Sequence, residues 1–487
     1  MPDSSAPTIY YTNPVYPHPA ADPFVLKHCG EYWCYTTGLQ ADRRAFGVLR
    51  SPDLVHWSRV GSAMDPLPSR GPHYWAPEVS YLEGVFYLYY SVGDEENMHL
   101  RVATSTDPAG PFQDSGVRLT SEQFAIDPHV LDAGDGRRYL FYATDFLEYD
   151  RIGTGTVMDR LLDPFRLEGR PRPVTRAKYD WQIFDPARAS KGGVRWHTIE
   201  GSFVLKHDGL YYQMFSGGNW QNQTYGVSYA ASDRLEREDE WDQYCDGDQV
   251  LPILRTMPEL GVIGPGHNSV VRGPDNLSLY CVYHRWLPES GERVLAIDPL
   301  EWEGERLVVR GPSVSPQPLR LPAVNGFLSL SCLRGPCRGD EHRLSLAPAR
   351  GEAAEASLAL PAGDFVLEVS LRAPEAASEG EWGLVLEGAA GAGYRFTFTN
   401  APPGPALLIH FGDSQVERIE LEGIQTQAYH LLRLETAGGR WSLALDDDRL
   451  QDSARLRWNA AGPASAERLT LFARSAAAEF CGLQITV

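Results

Sequence analysis

One phrase recurs five times in the first 300 residues, and no other feature of the chain constrains its fold as tightly. The copies are "DPFVLKHCGEYWCYTTG" from Asp22, "APEVSYLEGVFYLYYSVG" from Ala76, "DPHVLDAGDGRRYLFYATD" from Asp127, "EGSFVLKHDGLYYQMFSGG" from Glu200 and "HNSVVRGPDNLSLYCVYHR" from His267. Each has a polar or acidic opening, a short apolar run, a turn at glycine or Asp-Gly, and a return through alternating aromatic and aliphatic residues. That is the pattern of a β-hairpin. With the openings taken at Asp22, Glu78, Asp127, Glu200 and His267, the steps are 56, 49, 73 and 67 residues. Such spacing suits radial blades rather than a tightly stacked solenoid. Four strands per blade require about twenty strands, or about fifteen residues for each strand and its loop. The segments "SPDLVHWSRVG" from Ser51 and "STDPAGPFQDSG" from Ser105 supply outer strands and turns. The expected fold is therefore all-β and begins with a five-bladed β-propeller. In such a fold the innermost strands line one axial channel, so the starts of the repeats converge on a single pocket.

The pattern changes after "LEWEGERLVVRGPSVSPQPLRLP", which ends at Pro322. Beyond it, "DFVLEVSLRAP", "GYRFTFTN" and "YHLLRLETAGGRWSLALDDD" alternate with a period of two. This predicts a propeller domain with its linker over residues 1–324 and a β-sandwich over 325–487 that braces the propeller or shapes the pocket rim.

The chain has 44 basic and 64 acidic residues, a net charge of -20, and no Lys/Arg block, which excludes nucleic acid as the expected partner. An aromatic content of 11% suits a neutral, hydroxyl-rich ligand such as a small oligosaccharide. No apolar run is long enough to cross a bilayer, and "MPDSSAPTIYYTNP" has neither the basic nor the apolar part of a signal peptide. A cytoplasmic bacterial protein without membrane contact is expected, secreted only if a leader has been removed. The seven cysteines are odd in number and scattered, with no CxxC pair, so mostly buried free thiols are expected; Cys332 and Cys337 are the two near enough to bond.

Two carboxyl groups flanking a glycosidic bond suffice to hydrolyse it, and the repeat openings offer three acids. Asp22, held extended by the following proline, suits an ionised base. Glu200 in "WHTIEGSF" has aromatic and apolar neighbours that would raise its proton affinity and make it the acid. Asp127 would orient Glu200 and tune it through like-charge repulsion. Either Asp-Pro pair alone reads as a turn former; both in register with Glu200 read as a catalytic set. Glu78 stays outside that set. Tryptophan is usually a core residue, but Trp75 and Trp220 stand beside strand ends and Gly-rich loops, where they would wall a pocket.

Motif by motif, these residues resemble glycoside hydrolase family 43, five-bladed propellers that hydrolyse terminal arabinose or xylose with inversion. The resemblance implies a base at Asp22 in "HPAADPF", a pKa modulator at Asp127 in "FAIDPHV" and a general acid at Glu200 in "TIEGSF". It also implies an axial histidine at His267 in "GPGHNSVV", a sugar-binding arginine at Arg285 in "CVYHRW" and an aromatic wall at Trp75 in "YWAPEV". His267 would hold a structural Ca²⁺ on the axis through water, or else bond to ordered water and support the acids; no cofactor is required. The implied activity is an inverting exo-hydrolase that releases terminal α-L-arabinofuranosyl or β-D-xylosyl residues from hemicellulose-derived oligosaccharides. The rival readings are a lectin-like propeller that only binds sugar and a retaining propeller of the invertase kind.

Overall fold

The computed structural model describes residues 7–68, 71, 73–247, 250–375, 380–388, 391–447, 450, 452–463 and 465–487. The five repeats form five antiparallel blades. Blade I comprises Phe24–His28, Glu31–Leu39, Ala45–Ser51 and Ser58–Met64; blade II comprises His73–Leu82, Val85–Gly93, Met98–Ser105 and Gln113–Arg118. The three inner strands are Ala125–Asp132, Arg138–Phe146 and Gly153–Asp163 in blade III, and Val194–His207, Leu210–Gly217 and Gly226–Ser232 in blade IV. In blade V they are Ile263–Arg272, Leu279–Leu287 and Glu292–Glu303.

The hairpin pattern sets the register of each blade. In blade I, Phe24 to His28 pair with Tyr35 to Glu31 across a two-residue turn, Cys29–Gly30, with both residues at positive φ. Alternation along the strands then sends the aromatic residues between blades: Tyr35, Phe46, Tyr74 and Tyr90 fill the seam between blades I and II. The ring closes non-locally. Tyr16–Pro19, ahead of the first repeat, pairs with the third strand of blade V, and Thr8–Tyr11 pairs with Gln317–Arg320.

From Val324 the chain forms two facing antiparallel sheets of eight and seven strands around Trp382, Phe396, Leu432 and Trp441. This sandwich packs on the propeller face that carries the turns between first and second strands, and it meets all five. Gln425 N–H donates to Glu83 Oε2 (2.8 Å), Lys206 N–H to the Leu450 carbonyl (2.7 Å) and Arg433 Nη1 to the Asn276 carbonyl (3.0 Å). Ser453 packs against Gly134, and Cys29 is bonded to Cys481. Inside this junction Glu368 accepts charge from Arg433 (2.5 Å) and Arg272 (3.1 Å), while Lys27 bonds to Asn276. A side chain at Gly482 would overlap the Cys29 backbone, so the close approach that allows the disulfide needs glycine there.

The cysteines correct the expectation of free thiols. Cys29–Cys481 and Cys332–Cys337 are disulfides, which leaves Cys34 and Cys281 buried and Cys245 exposed as thiols. The first link closes a separation of 452 residues, and removing such a bond costs about 2–4 kcal/mol. Cys481→Ser should lower the thermal midpoint of unfolding, and a peptide map made without reductant should recover the Cys29 and Cys481 peptides as one mass. Separate peptides with free thiols would refute the link.

Candidate active site

At the opposite face, each first strand enters the axis through a left-handed joint. Asp22 (φ 50°), Ala76 (φ 43°), Asp127 (φ 59°), Gly201 (φ 63°) and His267 (φ 49°) occupy equivalent places, and all five line one axial cavity of about 20 Å³. The extended backbone expected at Asp22 is therefore wrong. The reason is a set of side-chain clamps from the preceding blade. The amide of Asp22 donates to His284 Nδ1 (3.2 Å), Ala76 to Thr37 Oγ1 (2.8 Å), Asp127 to Ser91 Oγ (3.0 Å) and His267 to Ser216 Oγ (2.7 Å).

Blade III differs. Glu200 pairs with Ser216 and Trp75 with Ser91, whereas the matching residue opposite Ile126 is Ala143, which has no hydroxyl. The Gly201 amide instead donates to the carboxylate of Asp127 (Oδ2, 3.1 Å). Asp127 is thus tied to the backbone next to Glu200. Glu200 and Trp75 each stand one residue before a joint, so they flank the axis, and Glu78 lies two residues beyond one. There it bonds to His129 Nδ1 (2.9 Å) and the Val130 amide (2.7 Å), a buried structural contact.

The three acids are brought together. His267 Nδ1 lies 3.6 Å from Asp22 Oδ1 and 4.0 Å from Asp127 Oδ2. Burial pushes the Asp22 carboxyl up, but the charges of Arg293 and His267 outweigh it and hold Asp22 well below the usual carboxylate range. Arg293 Nη1 donates to Asp22 Oδ1 (2.9 Å) and Thr37 Oγ1 to Oδ2 (2.6 Å). Burial raises Glu200 to about 7 against the opposing bond from the Tyr225 hydroxyl (2.8 Å), with the Asp22 charge adding to the rise. Burial, followed by the charges of Glu200 and Asp22, also holds Asp127 well above its ordinary value.

Arg285 is not in this group. It points the other way from its neighbour His284, is buried, and donates to the Ser313 carbonyl (3.3 Å). Successive strand residues face opposite sides, so only one of "HR" reaches the acids. The arginine at Asp22 is Arg293, opposite Trp286 on the third strand of blade V. Its guanidinium also lies over Trp220 (4.6 Å), and Trp220 stacks on Trp286 (6.2 Å between centroids). Sequence reasoning missed Arg293, Thr37 and Tyr225. Tracing the blade V alternation into its third strand was the one signal available for Arg293. A segment between blades III and IV, with strand Ile183–Arg188, extends this wall: the Asn219 side chain next to Trp220 donates to the Phe184 carbonyl (3.0 Å).

The axial cavity, of about 20 Å³, has room for roughly one water. Among the described residues there is no group of three or more metal-ligating side chains. The Asn268 Oδ1 atom is buried without a protein hydrogen-bond partner.

Buried acids of which one stays charged while another keeps its proton near neutrality are the equipment of a hydrolase acting on glycosidic bonds. Likeness to known proteins agrees. The model of the glycosyl hydrolases family 43 matches residues 11–306, and the chain belongs to that family of glycoside hydrolases. A beta-D-galactofuranosidase of Aspergillus niger is 28% identical over 294 residues, 56% of this chain and 76% of that protein. An extracellular exo-alpha-(1->5)-L-arabinofuranosidase of Streptomyces avermitilis is 24% identical over 297 residues, 58% of this chain and 57% of that protein. A solved thermostable family-43 glycoside hydrolase is 33% identical, with TM-score 0.55 over 64% of this chain and 99% of its own. The fold of a xylan beta-1,4-xylosidase from Bacillus halodurans C-125 covers 98% of this chain and all of its own at TM-score 0.51 and 18% identity, so the likeness of fold takes in propeller and sandwich together.

The raised proton affinity of Glu200 carries a stability cost with a defined sign. Its stabilising contribution is fully present below the unfolded-state value of 4.5 and is lost as pH rises through about 7. Thermal unfolding of wild type and Glu200→Gln should therefore diverge over that window, the variant becoming relatively more stable as pH rises. Parallel curves would mean that Glu200 is not held protonated.

Proposed function

We propose that this glycoside hydrolase is an inverting exo-enzyme that removes one terminal α-L-arabinofuranosyl or β-D-xylosyl residue from hemicellulose-derived oligosaccharides. The observation that carries this reading is the division of proton affinity within one ring: Asp22 stays charged while Glu200 stays protonated to about 7. In the proposed reaction Asp22 draws a proton from water as that water attacks the anomeric carbon. Glu200 gives its proton to the departing oxygen, so the C–O bond breaks without forming an alkoxide. Asp127, bonded to the Gly201 amide, fixes the backbone beside Glu200, burial and the Asp22 charge keep Glu200 protonated, and Arg293 and Thr37 aim Asp22.

Release of a single terminal sugar suits the walls. The axis beneath the acids is too narrow for a sugar, so substrate enters and leaves by one mouth. Half-buried Trp75 stands at that mouth, as do Trp220 and Trp286, and the segment before blade IV raises the rim beside the latter pair. The name of the Streptomyces avermitilis relative, an exo-acting arabinofuranosidase, supports the same choice.

Proton NMR of the first product anomer from aryl α-L-arabinofuranoside or aryl β-D-xyloside should show inverted configuration; a retained anomer would replace this mechanism with a covalent one. Glu200→Gln should lower kcat/KM on oligosaccharides about 10²–10⁴-fold and much less on dinitrophenyl glycosides, whose leaving group needs no proton. Equal losses on both would remove Glu200 from the acid role. For the wild type, kcat/KM should fall as pH rises through about 7, and the decline on the acid side should begin only well below the usual carboxylate range.

A further inference from the structure

The segment between blades III and IV carries a local excess of positive charge. Residues 176–195 include Arg176, Lys178, Arg188, Lys191 and Arg195 against Asp180 and Asp185, in a chain of net charge -20. Several of these cations are already neutralised: Arg176 by Glu240 and Lys191 by Asp145 (3.4 Å), while Asp180 is taken by Arg151 (2.8 Å). Arg188 is not. Among the described residues it has no carboxylate partner; its Nε donates only to Ser190 Oγ (3.2 Å). Its guanidinium lies over two rings, Phe184 (5.2 Å) and Trp196 (4.8 Å), with Lys191 above the same Trp196 ring (5.1 Å).

The position matters. Trp196, Thr198 and Glu200 are alternate residues of one strand, so they share its face, and Arg188 lies on the Trp196 end of that face. It is near enough for its charge to act on Glu200, in the direction that favours ionisation of the acid. That influence opposes the protonated state the acid needs, so the arginine does not serve proton transfer. Glu200 faces the departing oxygen in the proposed reaction, and what lies on its outer side is the leaving group. An oriented, half-buried guanidinium presents a planar fork to an oxyanion, and stacking on rings holds it ready at little entropic cost.

We propose that Arg188 reads a carboxylate on the leaving-group side of the substrate, so that the preferred oligosaccharide carries a uronic acid next to the sugar released. The inference rests on the hydrolase reading above and narrows its substrate class. The same guanidinium would gain less from a neutral sugar, whose hydroxyls offer no charge.

The test compares two oligosaccharides with the same terminal pentose and linkage, one with a uronic acid and one with the corresponding neutral sugar in the leaving group. Wild type should favour the acidic substrate about tenfold in kcat/KM, in line with one charge-assisted bond, and added salt should shrink the preference. Arg188→Gln should bring the ratio close to one, and Arg188→Lys should keep part of it. A wild-type ratio of one, or a ratio unchanged in Arg188→Gln, overturns the inference while leaving the hydrolase reading intact. Failure of wild type to hydrolyse either substrate, or any aryl pentoside, overturns both. The ratio is internal to each protein, so partial misfolding of a variant, which scales both rates, does not imitate the expected result.

Discussion

The site depends on a backbone conformation that L-residues avoid. Four of the five joints at the mouth of the channel are non-glycine residues at positive φ, each costing roughly 1–2 kcal/mol. The clamp that offsets each cost comes from another blade: His284 of blade V for Asp22, Thr37 of blade I for Ala76, Ser91 of blade II for Asp127, Ser216 of blade IV for His267. A hydrogen bond of this kind returns about 1 kcal/mol net, so no joint is stable without its neighbour. Reactive geometry is a property of the closed ring. The closure is itself adjacent to the chemistry, since the strand Tyr16–Pro19 completes blade V and the chain reaches Asp22 three residues later. On the way the Ala20 amide donates to the carbonyl of Arg293, the residue whose guanidinium holds Asp22.

Electrostatics then follow from an unequal distribution of partners. Asp22 and Asp127 are buried around His267 with Glu200 beside them, and among the described residues the arginine bonded to the group, Arg293, goes to Asp22. The other two bear the cost of burial first and then of neighbouring carboxylates, Asp22 for Glu200 and both Glu200 and Asp22 for Asp127, which is why their proton affinities rise. Only one irregularity in the repeat was needed to place Asp127 against Glu200. Where blades II and IV have a serine, blade III has Ala143, and the amide that would have met a hydroxyl meets the Asp127 carboxylate.

Five hairpins, the propeller and the acidic openings were legible because a period of two and the glycine turns are local signals. What escaped was decided across blades. The openings had been aligned on their acids, at Glu78 and Glu200, whereas the equivalent joints are Ala76 and Gly201; the acid at each differs by its offset from a turn that only tertiary clamps create. Arg285 and Arg293 illustrate the same limit. Both follow an aromatic or charged strand residue, and only the facing parity of blade V sends one to the core and the other to Asp22. The pairing of Cys29 with Cys481 spans 452 residues, and no local pattern encodes it.

The two ends of each innermost strand therefore have opposite duties. Lys27, near the end of the strand that Asp22 precedes, is fixed by Asn276 within the buried charges of the sandwich junction, and burial lowers its ammonium to about 8. That end is anchored through all five blade turns and by a disulfide. The other end carries the strained joints, and the loops around it include the insertion with Phe184 and Arg188. Anchoring one face firmly lets the other keep unfavourable backbone and unpaired charge without loosening the ring. The length and sequence of the mouth loops can then change, and with them the choice of leaving group, while the acids stay where the far end holds them.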